Sequence, residues 1–553
     1  MTKIKANSAK NRKLLLFAPL YIRNMIKSWT LALTASLLFA GATSCFAQPY
    51  NPSIDVQHYD FSLEVNDDNN NILGQAVITI LFKEDIAGFA LDLTRKGDGG
   101  KGMTVSSVTE KDKTIPYTQD SARLLFHTAG RSGEQHTYTI IYEGIPADGL
   151  IISNNKFGHR GFFGDNWPNR AHNWLPCVDH PSDKATLDFR VIAPQHYTVV
   201  ANGALQEEKE LANNKKLTHW KEAVPLAPKV MMIGVADFAV DHPGDVMGVP
   251  VYNYVFPGNK EVGFSSYSVA LQILPFYIRH IGPFPFEKCG NVQSKTRFGG
   301  LENASAICYF ENSVNSPGIE SLMAHEIAHQ WFGDAATEAQ WQYVWLSEGF
   351  ATYMTHCYLE SKYGPDTLKK GMIKDRRKLI AFEKTRLTPI VDTSIKEDFM
   401  QLLNPNSYEK GSWVLHMLRR RIGDQAFWKG ISTYYATYRD TNATSADLEK
   451  TMETVSGQNL HDFFHEWLDK PGHPHVKAAW KYDETKKELS ISFVQTGEQL
   501  FEFPLEYSTD GVLHNVNIKN RTTTVRLPLH KKPAHLLLDP NVNALADFEI
   551  TTL

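Results

Sequence analysis

A chain of 553 residues is too long for one core, and at about 100–200 residues per domain it should fold as two to four. The composition, 42% hydrophobic, 21% charged and 11% aromatic, is ordinary for a globular protein. A net charge of −4, with no long basic run after residue 30, argues against nucleic acid as the main partner.

The first residues do not read as a folded domain. Scattered positive charge from Lys3 to Lys27 precedes the apolar run Leu31–Phe39. That run is too short to span a bilayer, which takes about 20 residues. Small residues follow it, as in a secretory signal peptide. Residues 1–47 therefore read as a signal peptide cleaved after Ala47, with export to a periplasmic or secreted location. A competing reading makes Cys45 a lipidated N-terminus, and only then is a membrane a partner. Ala42 stands where a bulky aliphatic residue would be usual, which favours simple cleavage. Met25 is an alternative start, because MIKSWTLALTASLLFAG is already a complete signal. The remaining cysteines, Cys177, Cys289, Cys308 and Cys357, form no CxxC pattern. Free buried thiols are expected, with one or two bridges as the alternative.

From Asn51 to about Asp241 the text is strand-like. HYDFSLEV, QAVITILF, HTYTIIY and ATLDFRVIA alternate apolar and polar residues, and NDDNNN and KGDGGKG punctuate them as turns. The pattern changes near Pro243–Pro250. From about Tyr252 to Pro474 helices dominate. PGIESLMAHEIAHQWFGD is bounded by Pro317 and Gly318 before it and Gly333 after it. SEGFATYMTHCYLESKYG follows, with Ser347 as its expected N-cap. TSADLEKTMETVSG carries Thr444 and Asp447 at capping-box spacing. From Val476 alternation returns with frequent turns, which suggests a small β-sandwich.

Positions i and i+4 share one helical face, so His325 and His329 can point at one metal ion. Zinc favours four ligands, and a catalytic site keeps one position for water. Glu348, with eighteen residues between it and His329, would complete a set of two histidines and one glutamate in the first turn of the next helix. A second pair, His461 and His465, has the same spacing, and Glu484 lies at the same remove from it. Context rejects that pair. Pro471, Gly472 and Pro474 break the chain after it, and Glu484 falls in a turn between strands. Two further stretches bear on the first pair. In GGLENASA, Gly299 and Gly300 would let a substrate backbone approach, and Glu302, followed by Asn303, could pair with an ammonium group. Tyr408, just before a helix, could donate a hydrogen bond to a developing oxyanion.

Taken in this order, these stretches resemble the aminopeptidase N family of zinc metallopeptidases, the gluzincin aminopeptidases. The residues that carry the resemblance are Gly299-Gly300-Leu301-Glu302-Asn303, the HExxH of His325–His329, Glu348, and Tyr408-Glu409-Lys410-Gly411. LPCVDHPSDKATLDFRV and DFFHEWLDKPGHP are similar to further family text. The resemblance implies a multidomain α+β fold. Residues 48–245 would be an N-terminal β saddle, 246–474 a thermolysin-like, mainly helical catalytic domain, and 475–553 a C-terminal β-sandwich. It leaves no residues for the large C-terminal helical domain of many members, and so implies a more open cleft.

The resemblance also implies one zinc ion per chain, held by His325, His329 and Glu348. Glu326 would be the general base and Tyr408 the oxyanion donor. Gly299, Gly300, Glu302 and Asn303 would bind peptide substrates through a free N-terminus. Three departures stand out. Leu301 replaces the usual methionine, Ser347 a common asparagine, and Trp167 a second acid or amide ten residues before Cys177. Asp165 or Asn166 would then substitute at the amine, or Trp167 would stack on the substrate. The rival readings are a metallo-endopeptidase, an epoxide hydrolase resembling leukotriene hydrolase, and a non-catalytic peptide-binding protein. The epoxide reading needs an acid where Met400 stands, with Asp398 close but out of place. The preferred first residue and the oligomeric state are not encoded in any motif.

Overall fold

A computed structural model describes residues 52–552. The leader, with its readings at Met25, Cys45 and Ala47, lies outside the described residues. Strands dominate up to Val255. The strand Ile54–Glu64 buries Ile54, Val56, Tyr59, Phe61 and Leu63 on one face. It pairs antiparallel with Ile72–Phe82 and parallel with Ala185–Pro194. These three sit within an eight-stranded sheet that also holds Lys215–Leu226 and Gln135–Ile145. A four-stranded sheet runs Thr198–Ala201, Ile233–Ala236, Arg160–Gly164, Leu150–Asn154.

The change of pattern near Pro243–Pro250 is a hairpin of Ala239–Val246 and Val249–Val255. The hairpin continues as one five-stranded sheet through Cys289–Ser294, Ala306–Phe310 and the edge strand Gly300–Leu301. Sequence reading places helices here and misses these strands. All six residues of Cys289–Ser294 are buried, so no polar face marks the alternation. Gly300 lies opposite Tyr309, which fixes the GGLEN segment as a sheet edge.

Seven helices of nine or more residues follow between Ile319 and Asp469 among the described residues. Ile319–His329 packs on Trp345–Tyr363, which in turn packs on Gly411–Ile422. Thr444 and Asp447 form the expected capping box at Ser445–Ser456. Ser347 is not the expected cap. The helix starts at Trp345, and Ser347 lies inside its first turn.

From His475 the chain makes two further sheets, of four and three strands. They are tied to the helices by His416 Nε2 donating to Val542 O (3.0 Å), by Lys369 to Asn541 (2.9 Å) and by Arg376 to Asp539 (3.5 Å). One hydrophobic core runs from Ile54 to Ala546, and a smaller one gathers Phe163, Trp167, Phe256, Trp341 and Leu402. The four described cysteines are buried free thiols.

Candidate active site

The helix Ile319–His329 ends at the second histidine, so both rings leave its last turns on one face. His325 Nε2 and His329 Nε2 are 3.1 Å apart. Glu348 Oε2 lies 3.3 Å from the first and 3.2 Å from the second. Four ligands held tetrahedrally at about 2.0–2.1 Å stand about 3.3–3.4 Å from one another, so the triangle has the size that one such ion requires. His329 and Glu348 are buried, while the His325 side chain keeps 20% of its exposure.

His329 Nδ1 faces the Phe332 carbonyl at 3.2 Å and the Ser347 hydroxyl at 3.0 Å. A carbonyl can only accept, so Nδ1 carries a proton, and Nε2 is the ring nitrogen left to face the cavity. The Ser347 hydroxyl in turn reaches Phe332 O at 3.4 Å. Gly333, at φ 116°, permits this contact, because a Cβ there would meet Ser347 Oγ at 2.2 Å.

A cavity of about 280 Å³ opens beside the triangle. Gly299, Gly300, Leu301, Glu302, Glu326 and Tyr408 all line it, together with the three expected ligands. Asn303 does not. It is fully buried and lies outside the lining. Gly300 proves to serve a contact not foreseen in the sequence, since a Cβ on it would meet Glu326 Oε1 at 2.3 Å. The Glu326 carboxylate thus packs against bare backbone. The Tyr408 ring stacks parallel to His325, with centroids 6.0 Å apart. It is carried by one turn of π-helix, Asn406–Lys410, ahead of Gly411–Ile422.

The local field is negative. Donor oxygens of Glu302 and Glu326 and a nitrogen of His329 lie within 4.8 Å of one another, and no Lys or Arg lines the cavity among the described residues. Burial alone would lower the His329 pKa, but the Glu348, Glu302 and Glu326 carboxylates outweigh it and raise it to about 10. Burial pushes Glu326 well up, and Glu302 and Glu348 add to that. Burial also raises Glu302, whose Oε1 is buried with no hydrogen-bond partner among the described residues. Orphaned acceptors and crowded carboxylates fit a divalent cation between the ligands and an ammonium group at Glu302.

Both residues suggested as substitutes at the amine are committed elsewhere. Asp165 pairs with Arg170 and accepts from Thr296 Oγ1 and Arg297 N, both at 3.0 Å. Asn166 donates to Pro228 O and Met231 O and accepts from Trp174 Nε1. Trp167 lines the cavity. The rejected pair behaves as read. The His461 and His465 side chains are 70% and 61% exposed, and they contact Glu449 and Asp469.

Sequence reasoning missed Gln330. It donates to Glu302 O and Asp334 Oδ2 and accepts from Ser305 N, each at 2.8 Å, and so bolts the end of the histidine helix to the GGLEN segment. Its place directly after the second histidine was the available signal.

This fold, with His325, His329 and Glu348 brought within reach of one ion, is a metallopeptidase scaffold. Residues 55–227 match the model of the peptidase M1 N-terminal domain, and residues 266–467 match that of the peptidase family M1 domain. The chain belongs to peptidase family M1. Among its relatives, probable aminopeptidase 2 of Sulfurisphaera tokodaii is 27% identical over 431 residues, which is 74% of this chain and 54% of that protein. Leucyl aminopeptidase of Saccharolobus solfataricus is 23% identical, over 77% of this chain and 56% of its own length. Glutamyl aminopeptidase of Rattus norvegicus is 24% identical, over 63% and 39%. The chain spans about half the length of the first two of these curated relatives.

Proposed function

We propose that this chain is a zinc-dependent aminopeptidase that removes the first residue from peptides with a free N-terminus. One observation carries the reading. Glu302, whose buried Oε1 has no hydrogen-bond partner among the described residues, lines the same cavity as Glu326, His325, His329 and Glu348, so an ammonium held there would present the adjacent peptide bond to the hydrolytic groups. His325, His329 and Glu348 would hold the ion. When bound, zinc acidifies a water to a pKa of about 7 and polarises the scissile carbonyl.

The chain's own residues supply the rest. Glu326 accepts a proton from the attacking water at its carboxylate and passes it to the leaving nitrogen. The Tyr408 hydroxyl donates to the oxygen on which charge develops. Gln330 and the sheet edge keep Glu302 in register with the histidine helix. The two positions bearing on an epoxide reaction, Met400 and Asp398, do not line the cavity. On this reading the N-terminal sheets form the family's saddle, the helices a thermolysin-like domain and the last two sheets a sandwich. Export of the chain belongs to the same proposal, and the mature N-terminus of protein recovered outside the cytoplasm tests it.

The activity test compares a free peptide with its N-acetylated form, with and without a zinc chelator, beside Glu326→Gln. Hydrolysis of the free peptide alone, lost on chelation and in the variant, is the expected result. Cleavage of the acetylated peptide at a similar rate would replace the proposal with an endopeptidase.

A further inference from the structure

The cavity walls that take no part in the chemistry are Trp167, Phe298, Leu301, Leu322 and Leu403, hydrocarbon throughout except for the indole N–H of Trp167, which is buried without a partner among the described residues. Every polar side chain on the lining already has a task, as ligand, base, oxyanion donor or amine partner. Three cations beyond the lining are already paired: Arg170 with Asp165, Arg297 with Asp148, and Lys229, which acts on Glu302, with Glu338. The Trp167 wall is also stiff. Its ring meets Phe298 and Trp341 edge-on, with centroids 6.4 and 6.1 Å away, and Trp341 stacks on Phe399 at 4.9 Å.

The geometry points to a specificity pocket for an uncharged, apolar side chain on the substrate's first residue, with Trp167 as the specificity-determining wall. The inference rests on the aminopeptidase reading and names its substrate class. An acidic first side chain would find no wall cation to pair with and would lie beside Glu302 and Glu326, while Glu348 is already matched to the ion it would hold. A basic one would find no carboxylate except those engaged by the amine, the water and the ion. It would lose its hydration without a partner. An apolar chain loses nothing on entry and gains contact with the indole and the leucines.

The test has two arms. The first compares kcat/KM for Leu-, Met-, Phe-, Glu- and Lys-p-nitroanilides. At least about 100-fold preference for the apolar three over the charged two is expected. The second titrates Glu326→Gln calorimetrically with Leu-Gly-Gly, Glu-Gly-Gly and Lys-Gly-Gly, which reads binding without turnover, and tighter binding of the first is expected. Trp167→Ala should raise KM for the Leu and Phe substrates more than it changes kcat. Leu403→Arg, at a half-buried position less prone to disturb folding, should improve the Glu substrate at least about tenfold relative to Leu. Comparable rates and affinities for Glu or Lys and for Leu would overturn the pocket assignment while the aminopeptidase reading stood. Failure to cleave any free peptide would overturn that parent reading, and the calorimetric arm would still decide the pocket.

Discussion

The Ser347 hydroxyl lies 3.0 Å from Nδ1 of His329, so the helix that carries Glu348 also orients a histidine on its neighbour. The contact joins Trp345–Tyr363 to Ile319–His329 at the point where His325, His329 and Glu348 converge. Partners of this kind fix the tautomer and aim the lone pair, and their loss typically weakens metal binding about 10–100-fold. Ser347→Ala should therefore lower zinc affinity by that factor, measured by chelator competition, with the thermal midpoint of the metal-free protein little changed. Unaltered affinity would leave Ser347 a packing residue.

Gly300→Ala places a methyl group where the Glu326 carboxylate now sits, 2.3 Å from Oε1. The side chain is flexible at its end, so it will move rather than unfold the sheet edge. General-base catalysis contributes about 100–10,000-fold and depends on that position. The variant should keep its zinc and lose at least about tenfold in kcat. Full activity would show that the base tolerates the displacement.

Tyr408→Phe removes one hydroxyl from the cavity wall. Loss of a single oxyanion donor costs about 100–1000-fold in turnover. That loss is expected in kcat, with zinc content unchanged. A normal rate would remove Tyr408 from the mechanism.

His416 makes one of two opposing pH-dependent contributions at the junction with the C-terminal sheets. Its Nε2 donates to Val542 O at 3.0 Å, and its Nδ1 accepts from the Tyr353 hydroxyl at 3.1 Å, so the ring is neutral. Burial, with Arg420 nearby, lowers its pKa from 6.5 to about 3. The unfolded chain binds the proton first, so the stabilisation is complete above pH 6.5 and is lost as pH falls toward 3. Asp539, in the same junction, runs the other way. Burial raises it from 3.8 to about 7, so its contribution is full below pH 3.8 and is lost as pH rises to 7. Comparing Tm against pH for wild type and His416→Gln isolates the first term. The variant should lose less Tm between pH 6.5 and 4 than the wild type does, and identical slopes would contradict the assignment.

Much of the site was legible because its signals are local. The pair His325 and His329 needs only helical periodicity, and the spacing to Glu348 needs only the next helix. The strand Ile54–Glu64 announces itself by alternation, and Thr444 with Asp447 by capping spacing. What escaped depends on contacts between distant segments. Cys289–Ser294 is buried on both faces and carries no period. Ser347 looks like a cap until the helix start at Val344–Trp345 is seen. Gly300 reads as a place for substrate, and its contact with Glu326 arises only when the sheet edge meets the helix. Asp165, Asn166 and Trp167 are adjacent in sequence, and only their tertiary partners show which one reaches the cavity.

The most direct measurement is metal stoichiometry by elemental analysis of the purified protein beside Glu348→Ala. One zinc per chain in the wild type, lost from the variant while the fold persists by circular dichroism, is the expected result. A wild-type protein that binds no stoichiometric divalent metal under zinc-replete conditions, or a variant that retains it fully, would contradict the triangle of His325, His329 and Glu348 as a metal centre.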